Sequence, residues 1–200
     1  MRFSLKGYLY QVLIDPTISH LHTSLLPLIE PSHRVIDIAC GTGSLSLSIA
    51  GRAKHVTGID ISEDMIITAQ RAAHKKGAGN TLFELRDASD LSCYGDKEFD
   101  VSVTSMAVHQ FDADLAVKIL QGMKRISATV IIVDYNSLMP KGLSARGAWI
   151  IERLAGGEHY RNFKTFMERG GVRYFAAESG LTVKSEDARG SGVFSVAVCV

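Results

Sequence analysis

Apolar and polar positions follow two rhythms along this chain. Short β-branched runs appear as "RVIDIAC" at 34–40, "HVTGIDI" at 55–61, "TLFELRD" at 81–87, "FDVSVTSM" at 99–106 and "TVIIVDY" at 129–135. Longer stretches with helical spacing separate them. Runs this apolar, joined by crossovers, predict strands of a parallel sheet covered on both faces. In "SEDMIITAQRAAHKKG", Ser62 is a candidate N-cap, and Glu63 and Asp64 suit the positive end of the helix dipole. Met65, Ile66, Ala69, Ala72 and Ala73 make its apolar face. Lys75, Lys76 and Gly77 supply a basic last turn and a stop. "DADLAVKILQGMKRIS" repeats the pattern after Asp112, with Leu115, Ile119, Leu120 and Met123 on one side.

The pattern changes after Tyr135. The region 138–180, rich in Gly, Arg and aromatics, predicts two helices. "LTVKSEDARG" and "SGVFSVAVCV" then predict two strands joined at Gly190, Ser191 and Gly192. So short a connection forces an antiparallel pair. The expected fold is α/β: a doubly wound, seven-stranded, mostly parallel sheet with one antiparallel strand near the C-terminus and helices on both faces. Ahead of it, "DPTISHLHTSLLPLIE" predicts a helix with Pro16 near its start and a kink or break at Pro27.

Composition narrows the class. The 200 residues fit one domain with a sizeable core. Lys plus Arg is 22 and Asp plus Glu is 21, so the basic surplus of a phosphate-backbone binder is missing and no nucleic-acid partner is expected. No apolar run is long enough to span a bilayer, and the N-terminus lacks a signal-peptide core with a cleavage site. Cys40, Cys93 and Cys199 are odd in number and scattered, which argues for a reducing, cytoplasmic setting.

In a doubly wound sheet, ligands bind at the C-terminal ends of the strands. The first run ends at Ala39-Cys40-Gly41-Thr42-Gly43, the second at Asp60, the third at Asp87-Ala88 and the fourth at Ser105-Met106. Gly41 and Gly43 allow close backbone approach. Asp60 is placed to accept hydrogen bonds from both ribose hydroxyls of an adenosine-containing cofactor. A dinucleotide fingerprint wants a third glycine where this chain has Ser46, and it does not call for Asp37 inside the first strand. Nor does it call for Asp87-Ala88, where a carboxylate can accept from the adenine amine and the next N–H can donate to a ring nitrogen.

These pieces, "VIDIACGTG", "VTGIDISEDM", "RDASDL", "FDVSVTSMAVHQF" and "VIIVDY", resemble a class I S-adenosylmethionine-dependent methyltransferase in order and spacing over about 34–136. The resemblance is to the small-molecule group that includes the quinone-ring methyltransferases. It implies S-adenosylmethionine as cofactor. Asp37 would orient the glycine loop near the methionine amino group, and Ala39, Gly41 and Gly43 would contact the amino-acid end. Asp60 would hold the ribose, with Ile61 and Met65 packed nearby. Asp87 and Ala88 would read adenine, and Ser105 would lie beneath the methionine portion. Ala39 departs from the glycine that many members carry. The single domain then divides into an N-terminal helical lid or cap at 1–30, a cofactor-binding half at 31–136, and substrate-region helices with the C-terminal strand pair at 137–200.

In this reading the methyl group passes by in-line displacement to a small organic acceptor. His109, just beyond the fourth strand, is the candidate base. Glu158, His159 and Tyr160 in "GGEHYRNF" are candidate substrate determinants, as are Tyr8 and Tyr10 in the lid. No metal is expected: His20 and His22 face different sides of a helix, and no H-E-x-x-H or calcium-loop motif occurs. The amino-directed nucleic-acid tetrapeptide [DNS]-P-P-[FY] is absent where the chain reads "TSMAVHQ". A monomer or homodimer is expected. The alternatives are an NAD(P)-dependent oxidoreductase, or a catalytically inactive cofactor-binding partner subunit.

Overall fold

The computed structural model describes residues 21–200. Tyr8 and Tyr10, and most of the expected N-terminal helix, lie outside the described residues. The chain is helical at 21–25 and passes into a 3-10 turn at Leu26–Leu28 that contains Pro27. Proline has no N–H for a continuing helix, which accounts for the break expected there.

Seven strands follow: β1 (Arg34–Ile38), β2 (His55–Asp60), β3 (Thr81–Leu85), β4 (Phe99–Ser105), β5 (Ser127–Tyr135), β6 (Val183–Arg189) and β7 (Phe194–Cys199). They form one sheet in the order β3-β2-β1-β4-β5-β7-β6. β1 lies at the switch, pairing in parallel with β2 on one side and β4 on the other. β7 is the antiparallel strand, running against both β5 and β6. Central strands read as unbroken apolar runs because both faces are covered: Val35, Ile36, Ile38, Val130, Ile131, Ile132 and Val133 are all buried.

The helices are α1 (Ser44–Ala50), α2 (Glu63–Lys76), α3 (Ala113–Ile126), α4 (Leu143–Ala155), α5 (Gly157–Arg169) and α6 (Val172–Glu178). α2 buries Ile66 and Ala69 and ends at Gly77 in the left-handed conformation. Its expected Ser62 side-chain cap is not made. Asp60 Oδ1 instead accepts from the Ser62 N–H at 2.9 Å. In α3 the side-chain cap is made, with Asp112 accepting from the Leu115 N–H. The two helices expected after residue 138 are three. Gly156 and Gly157 (φ +73° and +56°) separate α4 from α5, and Gly170 and Gly171 (φ +107° and +64°) separate α5 from α6. Paired glycines with positive φ end one helix and redirect the next at little steric cost.

Candidate functional site

The loop after β1 turns sharply through a run of left-handed residues. Ala39, Gly41 and Gly43 have φ of +59°, +54° and +74°. Ala39 carries a Cβ in this region at a cost of about 1 kcal/mol, which explains why glycine suits the position. The two glycines answer different demands. A Cβ on Gly43 would sit 2.8 Å from the Phe83 ring and 2.9 Å from Ala69 Cβ, so this glycine is needed for packing. A Cβ on Gly41 would meet nothing within 4 Å, so this one borders open space. Across the switch point, Met106 just after β4 also has positive φ, +56°. Backbone strain of this kind collects at ligand sites.

Asp60 ties the loop to the second strand. Its Oδ2 accepts from the Gly41 N–H at 2.8 Å and its Oδ1 from the Ser62 N–H at 2.9 Å. A carboxylate has about four acceptor sites, so each oxygen keeps capacity for another donor. Ile61 next to it is 72% exposed, so its expected packing against a ligand is a contact the protein does not make by itself. Met65 is half-buried and Ala88 is half-buried, while Asp87 is exposed and accepts from the Ser89 N–H at 2.8 Å. The Ser105 hydroxyl, at the end of β4, is buried without a hydrogen-bond partner.

Asp37 and Ser46, the two residues foreign to a dinucleotide fingerprint, are bonded to each other. The Ser46 hydroxyl donates to Asp37 Oδ2 at 2.6 Å, with both side chains enclosed. Burial pushes the Asp37 carboxyl up to about 7, against the pull of the Ser46 hydrogen bond and with a further push from Asp60. Cys40 packs beside Leu47, Ile66, Ala69 and Phe83. Burial raises its thiol far above the usual range, and Asp37 and Asp60 add to the shift. This environment disfavours the thiolate.

On the other side of the switch point, His109 sits in a 3-10 turn at Val108–Gln110 and is fully enclosed. Its Nδ1 is 2.6 Å from Asp134 Oδ1, and its backbone N–H donates to Asp134 Oδ2 at 3.2 Å. Its Nε2 lies 3.7 Å from Glu152 Oε1. Glu152 accepts from the Tyr135 hydroxyl at 2.7 Å and is bonded to His159 Nε2 through its other oxygen. Burial lowers the His109 pKa, but Asp134 and then Glu152 outweigh it and hold the ring above its ordinary value. Burial likewise raises Glu152, and the bond to His159 and the charge of His109 reverse it, leaving it below the ordinary carboxylate value. Phe163 and Phe166 pack edge-on to the His109 ring.

The structure therefore divides the expected substrate residues. His159 joins His109. Tyr160 stacks with Phe163 and meets Trp149 edge-on. Glu158 is exposed in the first turn of α5. Sequence reading missed Asp134, Tyr135 and Glu152. Asp134 is next to last in the "TVIIVDY" run, an acid near a strand end like Asp60. Glu152, in "IIERLA", had no signal, because an acid within a helix reads as a solvated face.

A methyltransferase-domain family model matches residues 29–168. An uncharacterized methyltransferase, YcgJ of Bacillus subtilis, is 29% identical over 104 residues, 52% of this chain and 41% of that protein. The ubiquinone/menaquinone biosynthesis C-methyltransferase UbiE of Rhizobium leguminosarum is 40% identical over 73 residues, 34% of this chain and 28% of that protein. The chain thus spans less than half the length of these two relatives. Magnesium protoporphyrin IX methyltransferase (ChlM) from Synechocystis PCC 6803, solved with bound SAH, superposes with a TM-score of 0.68 at 19% identity, covering 100% of this chain and 89% of that one. At that identity the likeness is one of fold.

Proposed function

The chain belongs to the methyltransferase-domain family, and from that premise we propose that it transfers a methyl group from S-adenosylmethionine to a small organic acceptor. The observation that carries the reading is Asp60. It closes β2, spends one acceptor site of each oxygen on the loop, and keeps the rest beside the open space at Gly41. That is the donor–acceptor pattern two vicinal ribose hydroxyls require. Ala39, Gly41 and Gly43 would then receive the amino-acid end of the cofactor, with Asp37 facing its ammonium group. Asp87 and Ala88 would hold adenine, and Ile61 and Met65 would give it an apolar lid. The Ser105 hydroxyl, buried without a partner, would find one beneath the methionine chain.

When bound, the sulfonium supplies an electrophilic methyl group, so the protein's task is to position the acceptor and exclude water. Trp149 and Tyr160, half-buried and packed on the buried Phe163, would give a compact, partly apolar acceptor an aromatic contact. The family's UbiE relative, named for ubiquinone and menaquinone biosynthesis, fits that class. A base role for His109 requires the acceptor to reach Nε2 past Tyr135, Phe163 and Phe166, which enclose the ring.

Calorimetry with S-adenosylhomocysteine tests the site. Asp60→Ala should weaken binding by about 100-fold, the loss of two hydrogen bonds to a charged acceptor. Unchanged affinity would remove the assignment. Stabilisation by NADH, with none by S-adenosylhomocysteine, would overturn the cofactor. Transfer of labelled methyl to RNA and to no member of a small-molecule panel would overturn the acceptor class.

A further inference from the structure

His109, Glu152 and His159 come from three places with no local motif between them. His109 follows β4, Glu152 lies near the end of α4, and His159 opens α5 beyond the Gly156–Gly157 turn. One ligand atom from each lies within 4.8 Å of the other two. The His109 and Glu152 side chains are wholly buried, and that of His159 is 23% exposed.

The decisive atom is His109 Nε2. Asp134 lies against Nδ1 and holds that side of the ring, so Nε2 is the nitrogen left to exchange its proton for a metal ion. Nε2 is buried and has no hydrogen-bond partner. An orphaned buried polar atom is costly, and an ion is one of the groups that satisfies it. Two imidazoles and a carboxylate are the ligand set of a borderline transition metal rather than of calcium or magnesium. The outer contacts also fit. A metal-bound imidazole characteristically donates its other N–H to a carboxylate, here Asp134, and the Tyr135 hydroxyl holds the Glu152 carboxylate.

We propose that His109, Glu152 and His159 bind a divalent transition-metal cation of the zinc class, the three side chains leaving at least one coordination position open. Metal ligation needs the imidazole nitrogens unprotonated, so binding should strengthen as pH rises. The three ligands include none of the residues proposed to hold the cofactor, so the metal test does not depend on that assignment.

The test uses the 200-residue chain stripped with a chelator and titrated with Zn²⁺ alone in a calorimeter, and with Co²⁺ alone in the visible range. One equivalent should bind, and Co²⁺ should give d–d bands. His159→Ala, at a partly exposed position, should weaken Zn²⁺ binding at least 100-fold and abolish the bands. Asp134→Asn should weaken binding about 10- to 100-fold. His74→Ala, on α2, should change nothing. No stoichiometric binding, or binding indifferent to His159→Ala, overturns the proposal. Should His159→Ala fail to fold, imidazole NMR of the unsubstituted protein decides. Zn²⁺ must shift the His109 and His159 signals, and shifts confined to other histidines overturn the site.

Discussion

Asp60 and Asp134 stand near the ends of β2 and β5, on opposite sides of the switch in one sheet, in opposite surroundings. Asp60 is half-exposed, accepts backbone N–H groups only, and borders open space. Asp134 is sealed and holds a buried histidine, which is edged by Tyr135, Phe163 and Phe166. The first region leaves acceptor capacity unused beside the loop, where the proposed cofactor would take it up. The second uses nearly all of its capacity internally, and the reserve is one nitrogen. In one sheet, then, acids at strand ends can serve binding or hold a buried network, and the surrounding side chains decide which.

Substitution should separate the two. Asp134→Ala is expected to have the largest effect on stability, about 3–5 kcal/mol in urea unfolding, because it leaves His109 buried beside an empty position. The raised His109 pKa sets the pH dependence. Its contribution is complete below the unfolded-state value of 6.5 and fades as pH rises through the higher folded value. The cost of Asp134→Ala should therefore shrink in alkali. Asp87→Ala, at an exposed acid on the binding side, should stay within about 0.5 kcal/mol while weakening cofactor binding. Equal stability losses in the two variants would erase the contrast.

Within the binding region, the glycines sharpen the comparison further. Gly43→Ala should cost about 2–4 kcal/mol, adding overpacking against Phe83 and Ala69 to a left-handed backbone. Gly41→Ala should cost only about 1–2 kcal/mol, since its Cβ meets nothing. Its penalty should appear instead in S-adenosylhomocysteine affinity. Thermal unfolding and calorimetry on the pair give both readings.

Asp37 is the exception on the binding side, a buried acid among half-open ones. Its folded pKa near 7 exceeds the ordinary 3.8, so it favours folding at acid pH and loses that contribution as pH rises through about 7. Asp37→Asn should flatten that decline between pH 4 and 7 in denaturant titrations. If the carboxylate faces the cofactor's ammonium, the same substitution should weaken S-adenosylhomocysteine binding most above pH 7. The smallest effect concerns the thiols. Exposed Cys93 should react with a maleimide well before Cys40 and Cys199, whose thiols burial pushes up.

Legibility in the sequence followed locality. The strand runs, the glycine loop, Asp60 and Asp87 lie at the ends of continuous apolar segments, so position in the chain implied position in the sheet. Ala39, Asp37 and Ser46 were each noticed singly, but their φ value and mutual hydrogen bond were not readable. Three helices stand where two were expected, because a glycine pair breaks a helix only when both residues take positive φ, which composition does not reveal.

The chain's pattern alone determined a doubly wound sheet and its antiparallel C-terminal pair. Alternation and run length encode burial locally, and crossover length encodes strand direction. Only the tertiary structure decided that His109, Asp134, Glu152 and His159 meet. They are separated by 25, 18 and 7 residues and depend on the turn at Gly156–Gly157. Their burial is a property of how α4 and α5 fold onto the sheet, and no single segment carries that information.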